Sequence, residues 1–201
     1  MPNLLLATTN QGKIREYCLL LRNIGYHIRT IAEQGIVKII TETGSSYEQN
    51  ARLKAITYAE LSRLITIADD SGLEVDALGG KPGVHSARFA GENTTDEDKV
   101  KTLLAKLDSI PWEKRTACFK CVIAIATPEG QLELCHGECR GIITFETRGK
   151  NGFGYDPIFY IPGIDKTMAE LPLKKKNEIS HRSQASQRAR QVLKRLRKQT
   201  H

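Results

Sequence analysis

The chain lacks any apolar run approaching the roughly 18 residues needed to span a bilayer, although 40% of its 201 residues are hydrophobic. Its start, Met1-Pro2-Asn3-Leu4-Leu5-Leu6-Ala7, has no basic segment and too short an apolar one for a secretory signal. A cytoplasmic location and no membrane partner are the expectation. Internal repeats, linkers and low-complexity stretches are also missing, which excludes collagen-like and wholly disordered chains. One domain over residues 1–201 is expected, long enough to bury about 70% of its unfolded surface without a disulfide or metal staple. The five cysteines, Cys18, Cys118, Cys121, Cys135 and Cys139, are an odd number. They read as free thiols of a reducing compartment. Cys118 and Cys121 sit in an apolar run that predicts a strand, where positions i and i+3 point to opposite faces. They therefore cannot share one zinc ion.

The formal charge of +7 is unevenly spread. Residues 174–201 hold ten Lys/Arg and one acid, which leaves 20 basic and 22 acidic residues in the rest. A dedicated nucleic-acid domain more often spreads its cations over a face of the fold. A solvated C-terminal helix with cations toward its negative end is the simpler account, and no stable nucleic-acid partner is expected.

Periodicity predicts alternating elements. Leu4–Ala7 reads as a strand, followed by the polar loop Thr8–Gly12. Ile14, Tyr17, Cys18 and Leu21 recur as one helix face. Ile36–Ile40 reads as a strand and Glu48–Leu64 as a helix facing inward through Leu53, Ile56 and Leu61, with Ala51, Ala55 and Ala59 beside them. Ile65–Ala68 reads as a buried strand that ends in a loop, Asp69-Asp70-Ser71-Gly72. Gly79–Gly91 is a loop and Asp96–Leu107 a helix. Cys118–Thr127 and Gln131–Cys135 form a hairpin across Pro128-Glu129-Gly130, with Gly141–Thr147 a further strand. A Gly-rich loop, Gly149–Tyr155, precedes a final helix from Ser183. Early βα units with a later β-meander define an α/β fold with a mixed sheet.

Four segments carry chemistry. Thr8-Thr9-Asn10-Gln11-Gly12-Lys13 joins a strand to a helix N-terminus, where free N–H groups and the dipole suit an anion and Lys13 adds a point charge. It is not a P-loop, since only Gly12-Lys13 fits that pattern. Asp69-Asp70-Ser71-Gly72 puts adjacent carboxylates at a strand end, costly unless neutralised. A hard divalent cation such as Mg²⁺ suits them, with Glu42 a third oxygen donor. Gly152-Phe153-Gly154-Tyr155-Asp156-Pro157 lets backbone approach a flat ligand, with Phe153 free to stack. In Lys176-Asn177-Glu178-Ile179-Ser180-His181-Arg182, Ser180 can cap the last helix and place His181 and Arg182 in its first turn, opposing the dipole unless an anion lies near.

These segments, in order, resemble the Ham1-type family of non-canonical purine NTP pyrophosphatases, the inosine/xanthosine triphosphate pyrophosphatases. The resemblance is carried by ATTNQGK (7–13), ETG (42–44), NARLKA (50–55), residues 68–91, GFGYDPIF (152–159) and KNEISHR (176–182). It implies an elongated mixed α/β fold with helices flanking the sheet and two lobes around a central cleft. It implies a homodimer that hydrolyses ITP, dITP and XTP to the monophosphate and pyrophosphate with Mg²⁺. By position, Thr8, Thr9, Asn10, Gln11, Gly12 and Lys13 would hold the phosphates. Glu42 and Asp70 would serve the metal, and Asp70 would also act as general base. Lys54 and Ser71 would line the polyphosphate side. Phe153, Gly154, Tyr155 and Asp156 would stack on and bracket the base, and Lys176, His181 and Arg182 would close over the nucleotide. Two positions depart from the family pattern: Thr9 stands where Gly is common, and Gln49 where a Glu often precedes Asn-Ala.

Overall fold

The computed structural model describes residues 1–199. Seven strands form one open sheet, in the order β2-β1-β3-β4-β5-β6-β7. They are β1 (Asn3–Leu6), β2 (His27–Thr30), β3 (Ile65–Val75), β4 (Thr116–Ala126), β5 (Leu132–Ile143), β6 (Phe159–Ile161) and β7 (Lys166–Thr167). The helices are α1 (Gln11–Leu20), α2 (Tyr47–Ser62), α3 (Asp96–Lys106), α4 (Leu173–Ile179) and α5 (His181–Gln199). β1 pairs in parallel with both β2 and β3, whereas β6 pairs antiparallel with both β5 and β7. The sheet is thus mixed.

The chain forms two compact units. The first contains residues 1–70, 121–137 and the chain from Arg182 on; the second contains 71–120 and 138–181. The chain passes between them four times, and two of these crossings fall at the peptide bonds 70–71 and 181–182. Each unit has its own core. In the first, Leu4 and Leu6 of β1, Tyr17 and Leu21 of α1, Ile123 and Ile125 of β4, and Ala185, Ala189 and Leu193 of α5 pack together. In the second, Leu73 and Val75 of β3 meet Val100, Leu103 and Leu107, with Phe119, Phe159 and Met168. The residues of β4 in these cores sit at odd positions, as the two-residue period of a strand requires.

Several expectations need correction. Ile36–Ile40 is not a strand: β1 already pairs with β2, and Val37 and Ile39 are 94% and 81% exposed. A β-branched run becomes a strand only where pairing and burial reward it. On α2 the buried face is Ala51, Ala55, Tyr58 and Ala59, while Leu53, Ile56 and Leu61 face solvent. Small residues there let α2 pack closely on β1. Cys18 likewise lies on the exposed side of α1. Asp69 and Asp70 are not in a loop but inside the eleven-residue strand β3. Gly141–Ile143 continues β5 rather than starting a new strand.

Candidate active site

In the first unit, the loop after β1 is built by local hydrogen bonds. Asn10 caps α1, its Oδ1 accepting the Lys13 N–H at 3.0 Å, while its own N–H donates to Thr8 Oγ1 at 3.2 Å. No acid stands in the first turn of α1, so its positive end stays open to an anion. Thr9, Asn10 and Gln11 are exposed, so the Thr9 side chain enters no core. Lys13 does not point into solvent: its Nζ lies 3.0 Å from Oδ2 of Asp69.

Asp69 is the centre of this network. Arg182 Nε lies 3.6 Å from the same Oδ2, and Lys54 Nζ donates to the Asp69 backbone oxygen at 2.6 Å. Burial alone would raise the Asp69 carboxyl, but Lys13, Arg182 and Lys54 override it and hold it well below the usual carboxylate range. Its other oxygen, Oδ1, is buried without a hydrogen-bond partner. Arg182, expected to close over a nucleotide, is buried in this unit and ion-paired to Glu16 Oε2 at 2.6 Å. Desolvation works against its charge, and Glu16 and Asp69 more than restore it.

Asp70 and Glu42 share Lys54. The Lys54 ammonium donates to Glu42, and its pKa is raised despite burial because Asp69, Glu42 and Asp70 surround it. Burial pushes the Asp70 carboxyl up; Lys54 opposes this and Glu42 adds to it. Asn50 clamps the group. Its Nδ2 donates to Asp70 Oδ2 at 2.9 Å, and its Oδ1 accepts the Gly44 N–H at 2.8 Å. A Cβ on Gly44 would come within 2.6 Å of that same Oδ1, which is why only glycine fits there. Gln49 Oε1 accepts from the N–H and hydroxyl of Ser45, so an amide oxygen does what a carboxylate would in ordering this turn. Two hard-oxygen donors, one destabilised by burial and by its neighbour, suit a divalent cation.

In the second unit, Ser71 follows directly on Asp70 in β3. The Gly152–Asp156 loop is held by carboxylates. Asp156 Oδ2 accepts the Phe153 N–H at 2.9 Å and pairs with the Lys176 ammonium. Gly152 has φ +79°, and a Cβ there would stand 1.9 Å from Asp156 Oδ2. Phe153 remains half-buried, with Lys176 Nζ 4.9 Å from its ring centroid. Tyr155 and Asp156, expected to bracket a base, are buried; the Tyr155 hydroxyl donates to the Ser86 backbone oxygen at 2.9 Å. The His181 ring stacks on Phe119, centroids 4.8 Å apart. A cavity of about 960 Å³ lies against this loop, lined by Phe153, Gly154, Asp96, Val100 and Leu104 among others.

Sequence alone reads Asp69 with Asp70 as adjacent carboxylates suited to a divalent cation, and assigns no role to Glu16 or Asn50. Their signal is polarity at positions that should be apolar: Glu16 adjoins Tyr17 on α1, and Asn50 adjoins the buried Ala51 on α2. Among the described residues, no group of three or more His, Cys, Asp or Glu is placed to hold a metal ion by itself.

A strand of a partly parallel sheet that carries paired acids beside a helix N-terminus, with three cations gathered around one aspartate, defines an α/β protein built to handle polyanions. The model of the Ham1 family matches residues 4–192, and the chain belongs to that family. A dITP/XTP pyrophosphatase of Desulforamulus reducens is 48% identical over 193 residues, 96% of each chain. The dITP/XTP pyrophosphatase of Bacillus subtilis is 44% identical over 193 residues, covering 96% of this chain and 98% of its own. The solved Ham1 protein of Staphylococcus aureus superimposes with a TM-score of 0.85 at 43% identity, over 95% of this chain and 97% of its own. A HAM1 protein from Coxiella burnetii does so at 0.87 and 42%, over 96% and 98%. No helix among the described residues is long and apolar enough to cross a membrane.

Proposed function

We propose that this chain is a nucleoside-triphosphate pyrophosphatase, one catalytic domain over residues 1–201. It hydrolyses dITP, ITP and XTP to the monophosphate and pyrophosphate by water attack at the α-phosphorus. The observation that carries the reading is the convergence of Lys13, Lys54 and Arg182 on Asp69, with Glu42 and Asp70 around the same lysine. A triphosphate brings about four negative charges, whose removal from water needs compensation in place. Fixed cations supply it without reorganising as charge moves in the reaction.

Glu42 and Asp70 would hold Mg²⁺, and the bound ion would lower the pKa of the attacking water. Asp70, kept in place by Asn50, takes the proton from that water as general base. The loop Thr8–Gly12 and the open end of α1 receive phosphate oxygens, with Lys13 exchanging Asp69 for phosphate. Lys54 and Ser71 serve the polyphosphate side. Phe153 offers its face to the purine, and Lys176 steps off that face as the ring arrives. Gly154 and the buried Tyr155 and Asp156 set the loop's shape. His181 stays stacked on Phe119 and Arg182 stays with Glu16, so both act by placing the start of α5. Donors toward the 6-oxo group would reject adenine by leaving themselves unpaired.

The proposal includes a homodimer, a cytoplasmic setting and no stable nucleic-acid partner. In support of the last, cations of α5 are engaged in the fold: Arg188 donates to His136 O, Arg190 to Leu20 O and Arg22 O, and Arg195 pairs with Glu133. The test is pyrophosphate release from dITP, XTP, ITP, ATP and GTP, with and without Mg²⁺. Metal-dependent release from the first three is expected; comparable hydrolysis of ATP overturns the reading.

A further inference from the structure

Asp96 opens α3, yet it is not what caps that helix. Thr95 Oγ1 accepts the Asp98 N–H at 3.1 Å, and Asp98 Oδ2 accepts the Thr95 N–H at 2.9 Å, which completes the capping box. Asp96 is free for another task. Its Oδ2 accepts the Gly154 N–H at 2.6 Å, 58 residues away in the chain, and its Oδ1 takes Lys99 Nζ at 2.9 Å. Phe153 therefore sits between two amides held by two carboxylates, its own N–H on Asp156 and the next on Asp96. Both flanking glycines have positive φ, +79° and +61°, so the backbone itself resists collapse only weakly. The cavity of about 960 Å³ beside the loop gives it room to move if a tether is lost.

We propose that Asp96 is a positioning residue for the nucleobase, fixing the Phe153 ring through the Gly154 amide. This rests on the reading of Phe153 as the face on which the purine stacks. A hydrogen bond to a carboxylate is about twice as strong as one to a neutral acceptor. Removing it lets the ring sample other positions and taxes binding of every base, while the chemistry around Asp70 is untouched.

Steady-state kinetics on dITP with the full chain test this. Asp96→Ala is expected to raise KM about three- to tenfold with kcat within about twofold. Asp96→Asn, which keeps an acceptor oxygen, should recover at least half of that change on a logarithmic scale. Asp98→Ala breaks the capping box of the same helix and should lower the melting temperature while leaving KM at the wild-type value. By NMR, the Gly154 amide proton should move upfield in Asp96→Ala and not in Asp98→Ala. If Asp96→Ala is poorly folded, Asp96→Ser, too short to hold the Gly154 amide, should raise KM about three- to tenfold, and an unchanged KM there overturns the proposal. An unchanged KM in an active Asp96→Ala enzyme, or an equal rise in Asp98→Ala, overturns the proposal alone. Failure of the wild type to hydrolyse dITP and XTP overturns the functional reading on which it stands.

Discussion

Lys13 reaches from the first turn of α1 to Asp69 in β3, its Nζ 3.0 Å from Oδ2. Together with Arg182 it keeps a carboxylate ionised where only 1% of the residue is exposed. Breaking one partner of a buried pair costs more than the pair itself contributes, because the other charge is left without compensation. Asp69→Asn is expected to destabilise the protein by about 3–5 kcal/mol. Urea unfolding should show a lower midpoint at an unchanged slope; a shift below about 1 kcal/mol would mean the cations find other partners.

Asp70→Asn keeps the shape and the bond from Asn50 but removes the base. Turnover is expected to fall by about 10²–10⁴-fold. Nucleotide affinity, measured by equilibrium binding, should change far less. Equal loss of both would assign Asp70 to binding rather than to proton transfer.

Asn50 is buried and uses both ends of its amide. Asn50→Ala leaves the Gly44 N–H and Asp70 short of a partner, an expected loss of about 1–3 kcal/mol in chemical denaturation. Asn50→Leu, close in size but unable to bond, should do no better. Recovery of full stability by leucine would show that Asn50 only fills space.

Cys121 lies wholly buried, its Sγ 3.9 Å from Asp69 Oδ2, and burial, with the Asp69 charge, pushes its thiol up to about 12. In the unfolded chain a thiol titrates near 8.5. The folded protein thus keeps a proton that the unfolded chain releases. The stabilisation is complete below about pH 8.5 and declines toward pH 12, by up to about 1.4 kcal/mol per pH unit. Cys121→Ala should flatten the fall of unfolding free energy between about pH 9 and 10.5 by one proton's worth. An unchanged slope would place the titration elsewhere.

The long periodic elements were legible from residues alone: α3 and the β4–β5 hairpin stand where the pattern predicts them. β2 escaped notice because four residues, HIRT, half of them polar, carry too little signal for an edge strand. The inward face of α2 was misjudged because close packing on β1 rewards alanine over leucine. In the site, Asp70, Glu42 and Lys54 share one network, although Asp70 lies inside β3 and Lys54 on α2. Neither the continuation of β3 through Asp69-Asp70 nor the withdrawal of Arg182 to Glu16 was readable. Both depend on charge partners distant in sequence, 166 residues apart in the second case.

The discontinuous weave of the chain bears on any attempt to express the second unit by itself. A fragment of residues 71–181 would still include the hairpin tip at 121–137, with Ile123 and Ile125 stripped of Leu4, Leu6 and the last helix that cover them. Such a piece would display bare β-strand backbone beside greasy side chains, a template for self-association. Dissection of this protein calls for circular permutation or point substitution instead of truncation.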